Sequence, residues 1–191
     1  MRYKAGHKEE SRARILEAVG RGLRRHGVGG IGVDGLAKEA GVTSGAFYGH
    51  FATKTEAFEE AAVAGLQELL AGLQELQAGH GADWLPAFVD LYLGFKRTCA
   101  LDDACGLQAL TPEVARADLP LRRRYEGVLL QVVSCVAAGL PERAGAASPD
   151  ARAWALLALL SGGVTMARSL ADPALSDHAA EALKRAALAL A

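Results

Sequence analysis

Apolar positions recur every three to four residues along most of the chain, and glycines, prolines and short polar side chains punctuate them. Met1 to Lys8 is polar and basic and reads as a loose arm. Ser11 to Arg25 places Ile15, Leu16, Val19 and Leu23 on one face, an amphipathic helix that His26-Gly27 ends. Gly29-Gly30 continues the loop, and Ile31 and Val33 close a small core. Leu36, Ala37 and Ala40 give the next helix its apolar face, and Gly41 follows where a helix C-terminus favours glycine. Thr43 or Ser44 can cap the following helix by accepting its free N–H groups. Phe47 and Phe51, four apart, anchor that helix inward and leave Ser44, Gly45, Tyr48 and the flank of His50 on other faces. Two short helices around a glycine turn make a helix-turn-helix, whose second helix normally enters the DNA major groove.

The remainder reads as five or six further helices. Thr53 caps a long one starting near Lys54, with Ala62, Leu66, Leu69, Leu73 and Leu76 as a stripe suited to a rigid connector. Gly79-His80-Gly81 breaks it. A helix from about Asp83 to Arg97 carries Leu85, Phe88, Leu91, Tyr92 and Phe95 inward. Cys99 to Cys105 is a loop. Gly106 to Arg116 is a short broken helix, restarted with Thr111 as cap and Pro112 at the first helical position. Leu119 to Leu140 is the next helix, with Tyr125, Val128, Leu129, Val132, Val133 and Val136 inward and Arg122 to Arg124 facing solvent or acids. Ser148-Pro149-Asp150 opens another helix, apolar on every side from Ala153 to Leu160. A helix of that kind needs cover on all sides, and in a chain of 191 residues this implies a partner subunit. Asp172-Pro173 breaks the chain again, and Ser176 caps a final helix through Leu190.

The run Leu36-Ala37-Lys38-Glu39-Ala40-Gly41-Val42-Thr43-Ser44-Gly45-Ala46-Phe47-Tyr48-Gly49-His50-Phe51, followed by Lys54 and Phe58, resembles the DNA-binding domain of TetR/AcrR-type transcriptional regulators. The likeness covers about Ser11 to Phe58. It implies an all-α chain with a helix-turn-helix domain over residues 1–53 and a ligand-binding and dimerising helical bundle over 54–191. It further implies a double-stranded operator, a homodimer, a small-molecule effector and no cofactor. Where relatives often carry Thr or Ser to cap a helix and touch phosphate, this chain has Gly32.

Roles in DNA binding follow from position. Lys54, at a helix N-terminus, faces phosphate. Tyr48 offers a hydroxyl to phosphate or a base. His50 either reaches phosphate or braces the turn. Thr43 and Ser44 can touch phosphate or base edges, and Gly45 and Gly49 allow close approach without reading sequence. With so few long polar side chains, DNA shape supplements direct readout. The expected dimer face is Trp154, Leu156, Leu157, Leu159 and Leu160, with Gly162 and Gly163 permitting close crossing and Leu183, Leu188 and Leu190 extending it. Tyr92, Phe95 and Trp84 either line an effector pocket or are plain core.

Charge sharpens this picture. The net formal charge is -1, but residues 1–58 hold ten Lys/Arg against six Asp/Glu, while 59–191 hold eleven against sixteen. The basic portion coincides with the helix-turn-helix. Cys99, Cys105 and Cys135 are an odd set without metal-ligand spacing, which argues against a disulfide framework or zinc site and fits a reducing cytoplasm. The N-terminus lacks a signal-peptide core, and the longest apolar run is too short for a bilayer. Cys105 opens a helix whose dipole favours thiolate, against nearby Asp102 and Asp103, so the alternative to a reversible effector is a thiol-based redox or electrophile switch. Cys135, among valines, reads as inert core. A phosphate loop, HExxH and GxSxG are all missing, so the sequence points away from an enzyme.

Overall fold

The four long helices after Thr53 are capped by the chain's own short polar side chains. Thr53 accepts from the Glu56 amide at 3.0 Å, Asp118 from Leu121, Ser148 from Ala151 and Asp172 from Ala174. The computed structural model describes residues 5–190. In order they form α1 (Ala5–Gly30), α2 (Val33–Glu39), α3 (Ser44–Tyr48), α4 (Lys54–His80), a 3₁₀ turn (Gly81–Asp83), α5 (Trp84–Asp90), a π-helical turn (Leu91–Phe95) and α6 (Lys96–Thr98). A second 3₁₀ turn (Leu101–Asp103), α7 (Gly106–Val114), α8 (Leu119–Gly139), α9 (Pro149–Ser169) and α10 (Pro173–Leu188) complete the chain, with no strand among the described residues. The architecture is the all-α one expected, a helix-turn-helix unit followed by a helical bundle. Residues 1–4 of the expected arm lie outside the described residues, and the part from Ala5 onward is already helical.

Two glycines shape the N-terminal unit. Gly27, at φ 70° and ψ 165°, kinks α1 where the sequence predicts a stop, and one further turn succeeds it. Gly41, at φ 65°, takes the left-handed conformation that ends α2 and turns the chain toward α3. Ile15, Val19, Leu23, Leu36, Phe47 and Phe51 then close over one another. Arg12 lies over the Phe51 ring at 4.3 Å and pairs with Glu60 at 2.6 Å, tying α1 to the start of α4.

α4 serves two parts of the core. Phe58, Ala61 and Ala62 pack under the helix-turn-helix, and Leu66 and Leu73 pack within the bundle. In the bundle Arg152, buried, donates to the carbonyls of Ala147, Leu190 and Pro141, which pins the 141–147 loop and the end of α10 to α9.

Four expectations need correction. The helix after Asp83 contains a π turn, which adds a residue per turn and rotates the residues downstream of it. Leu93 therefore turns inward and Phe95 is 54% exposed, while Leu91, at the start of the turn, faces the cavity and is partly open to solvent there. Thr111 caps nothing, because α7 runs unbroken through Pro112, and its hydroxyl donates to the Leu107 carbonyl. Ser176 lies inside α10, which Asp172 caps, and donates to the Ala167 carbonyl at 2.9 Å. Lastly, Leu156, Leu157 and Leu160 of α9 are buried in the chain's own core rather than on its surface. Gly163 faces α10, where an added Cβ would come within 2.9 Å of Leu183 Cδ1. What α9 leaves open is Trp154 (41% exposed), Ala155, Ala158, Gly162 and Met166 (68% exposed), with Leu175 and Leu188 of α10. No helix of the described residues is long and apolar enough to cross a membrane.

Candidate nucleic-acid interface and bundle cavity

Thr43, rather than Ser44, caps α3, accepting from the Ala46 amide at 3.1 Å. Phe47 is fully buried with its ring 5.4 Å from that of Phe51, which fixes the orientation of this five-residue helix. The outward face is then Thr43, Gly45, Ala46, Tyr48 and Gly49, all exposed, with the Tyr48 ring edge-on to Phe47. Ala46 is absent from the contacts expected on sequence grounds. Its position one step beyond Gly45, on the side away from Phe47, is the signal that marks it.

Two of the other expected contacts are engaged within the chain. Ser44 donates its hydroxyl to Asp34 of α2. The Lys54 ammonium, at the start of α4 as expected, donates to the Val28 carbonyl and so braces the end of α1. His50 is half-buried, and its Nδ1 is buried without a hydrogen-bond partner. Gly32 precedes α2 with no side-chain cap, as the missing hydroxyl predicts.

The bundle holds a cavity of about 230 Å³, open to the surface on one side, between α4, α5 with its π turn, and residues 104–106. Leu69, Leu73 and Leu76 of α4 face Phe88 and Leu91 across it. At its inner end the Tyr92 hydroxyl donates to Cys105 Sγ at 2.8 Å. Burial, reinforced by Cys105, holds the Tyr92 hydroxyl well above its ordinary pKa, so it stays protonated. Next to Cys105, the backbones of α4 and α7 cross at Gly65 and Gly106. A Cβ on Gly106 would lie 2.8 Å from Gly65 Cα, so only glycine fits there.

Of the aromatic candidates, Tyr92 lines the cavity and the other two do not. Trp84 is buried against α8, its indole N–H donating to the Gly139 carbonyl at 3.0 Å. Phe95 lies outside, beneath the Lys96 ammonium at 5.3 Å. The cavity wall on α4 could have been found in the sequence. Gly65 and Gly72 stand seven apart on the face of Leu69 and Leu76, a gap in an otherwise leucine-filled stripe.

Residues 101–105 join this cavity to the helix-turn-helix. Ala104 and Cys105 line the cavity, and the 3₁₀ turn just before them is held by α1. Arg24 Nε donates to the Asp102 carbonyl at 2.7 Å, and Arg25 pairs with the Asp102 carboxylate at 2.6 Å and with Glu39 of α2 at 3.5 Å. In the adjoining helices Tyr125 and Thr111 share a hydrogen bond of 2.6 Å. Burial raises the Tyr125 pKa to about 12 against the opposing effect of Thr111.

All three thiols are free. Cys135 is half-buried rather than core, with Sγ 3.5 Å from Gln77 Oε1 and its pKa raised by burial. Cys99 is half-buried beside the Arg168 guanidinium at 3.0 Å. Among the described residues no cluster of His, Cys, Asp or Glu could hold a metal ion.

Residues 15–61 match the family model of bacterial regulatory proteins, tetR family. No curated protein matches the chain. Among solved structures, a TetR-family regulator from Cytophaga hutchinsonii superposes with a TM-score of 0.78 at 18% identity, covering 97% of each chain. The reduced form of E. coli NemR gives 0.76 at 21% identity, over 93% of this chain and 95% of that one. FadR from Bacillus subtilis, solved with stearoyl-CoA, gives 0.64 at 16% identity, over 90% of this chain and 96% of that one. At these identities the superpositions establish a shared fold.

Proposed function

We infer, from a chain that carries the N-terminal domain of the bacterial TetR regulatory family on a TetR-type all-α fold, that it represses transcription by binding a palindromic operator as a homodimer. A small-molecule effector held in the α4–α7 cavity releases it. Residues 1–53 meet DNA, and residues 54–191 bind the effector and pair the subunits. The observation that carries this reading is the Asp102 clamp. Asp102, which Arg24 and Arg25 grip, stands just before the 104–106 segment that lines the cavity, so a ligand that shifts that segment shifts α1 and α2 with it. A ligand acts this way only to the extent that it binds the two positions of that segment unequally.

At DNA, Tyr48 and Thr43 offer hydroxyls, while Gly45, Ala46 and Gly49 let α3 lie close against the groove. Lys54, the first residue of α4 at the boundary of the two parts, turns from the Val28 carbonyl to a phosphate on binding. Lys54→Ala should therefore weaken binding to all duplex sequences alike and reduce the slope of log affinity against log salt by about one. Titration of labelled duplexes at several salt concentrations measures it. An unchanged slope with a lowered melting temperature would assign Lys54 to the α1 brace alone.

A thiol switch is the second reading, favoured by the position of Cys105 in the cavity wall with Tyr92 against its sulfur. On that reading Cys105→Ser binds the operator as well as the parent but no longer releases it when an oxidant or electrophile is added. Release from Cys105→Ser equal to that from the parent removes the thiol from the mechanism.

A further inference from the structure

We propose that the cavity behind Gly72 selects an uncharged, largely hydrocarbon ligand about the size of one substituted aromatic ring. This deepens the effector reading and rests on it for the consequence at DNA, though not for binding itself. The walls are leucine and phenylalanine side chains, with glycine backbone where α4 and α7 cross. The Tyr92 O–H is already committed to Cys105 Sγ, so the inner end offers a charged group only the phenolic oxygen and the weak S–H donor. Of the described residues, the buried polar side-chain atoms that lack a partner belong to Arg12, His50, Asp102 and Gln108, and none of these four lines the cavity. A carboxylate or ammonium carried to the inner end loses its hydration and meets no charged partner there, because the two charged lining side chains, Glu68 and Lys96, stand at the rim.

The rim does not reverse this preference. It carries one charge of each sign, Glu68 and Lys96, and the Lys96 ammonium already donates to the Asp103 carbonyl at 2.7 Å. Size is set by volume. An apolar cavity of about 150 Å³ holds one benzene molecule. The space here, about 230 Å³, leaves room for a ring with short apolar substituents. Entry is beside Gly72, which is exposed on the rim and where an added Cβ meets no atom within 4 Å. A larger side chain at position 72 reaches across the mouth without displacing the fold.

The test compares three molecules of one shape, para-xylene, 4-methylbenzoate and 4-methylbenzylammonium, by calorimetry and thermal shift on the full chain. The parent should bind para-xylene at least tenfold more tightly than either charged analogue. Gly72→Leu, a substitution favourable in a helix interior, should keep the melting temperature and lose at least tenfold in para-xylene affinity. A charged analogue binding as tightly as para-xylene, no binding of para-xylene, or undiminished binding in Gly72→Leu each overturns the proposal. Operator release is read separately. Para-xylene that binds without releasing DNA ends the effector reading and leaves the ligand class standing. Release by a charged analogue alone does the reverse.

Discussion

Phe47→Ala should lower stability by about 3–5 kcal/mol, the range for deleting a fully buried phenylalanine. Phe47 is the hinge of the small N-terminal core. Its ring touches Phe51 and Tyr48, and its backbone amide holds the first turn of α3 to the Thr43 carbonyl at 2.9 Å. A five-residue helix has too few internal bonds to persist alone, so its orientation depends on this one anchor. The melting temperature should fall by about 10 °C for a chain of this size, at a few degrees per kcal/mol. DNA binding should be lost at temperatures where the bundle still gives a helical circular-dichroism signal. A drop of less than about 1 kcal/mol would mean that Phe47 is not the anchor of the domain.

Ala158→Glu should abolish operator binding without unfolding the chain. Ala158 sits in the middle of the open face of α9, between Trp154 and Gly162 and with Met166 further along. On the single chain the substitution is at an exposed helix position and should change stability by no more than about 0.5 kcal/mol. In the proposed dimer it places two carboxylates in an apolar contact around a two-fold axis. Sedimentation should then show a monomer, and affinity should fall to the non-specific level, on the order of 10³-fold weaker. A dimer that still binds the operator would place the interface elsewhere. Acidic substitution at Leu157 or Leu160 would not separate pairing from folding. Those side chains lie in the chain's own core, so glutamate there attacks folding before it attacks pairing.

The N-terminal unit was legible residue by residue because its signals are local. Gly41 needs a left-handed turn, Thr43 needs to cap, and Phe47 and Phe51 need to face one way, and each requirement is visible within a few positions. The bundle was legible only in outline. The leucines of α4 gave the helix but not the cavity, because a leucine that packs and a leucine that lines a hollow have the same spacing, and only the gaps at Gly65 and Gly72 mark the hollow. The π turn was invisible for a related reason, since nothing in Leu91-Tyr92-Leu93-Gly94-Phe95 marks the added residue that sends Phe95 outward. On α9, apolarity on every side gave the right need for cover. It could not show that α8 and α10 of the same chain supply that cover for Leu156, Leu157 and Leu160. The Ser44–Asp34 and Lys54–Val28 bonds join residues ten and 26 apart through the fold, so no local pattern announced them.

Selection of duplex DNA from a random pool by the purified chain, with the oligomeric state of the retained complex measured alongside, tests the central claim most directly. The recovered sequences should contain two similar half-sites related by a two-fold axis, with centres about 34–36 Å apart or a multiple of that distance. Two chains or a multiple of two should be bound, and the complex should dissociate when a cavity ligand is added. Recovery of no common sequence, or of a single unsymmetrical site held by one chain, would contradict the account.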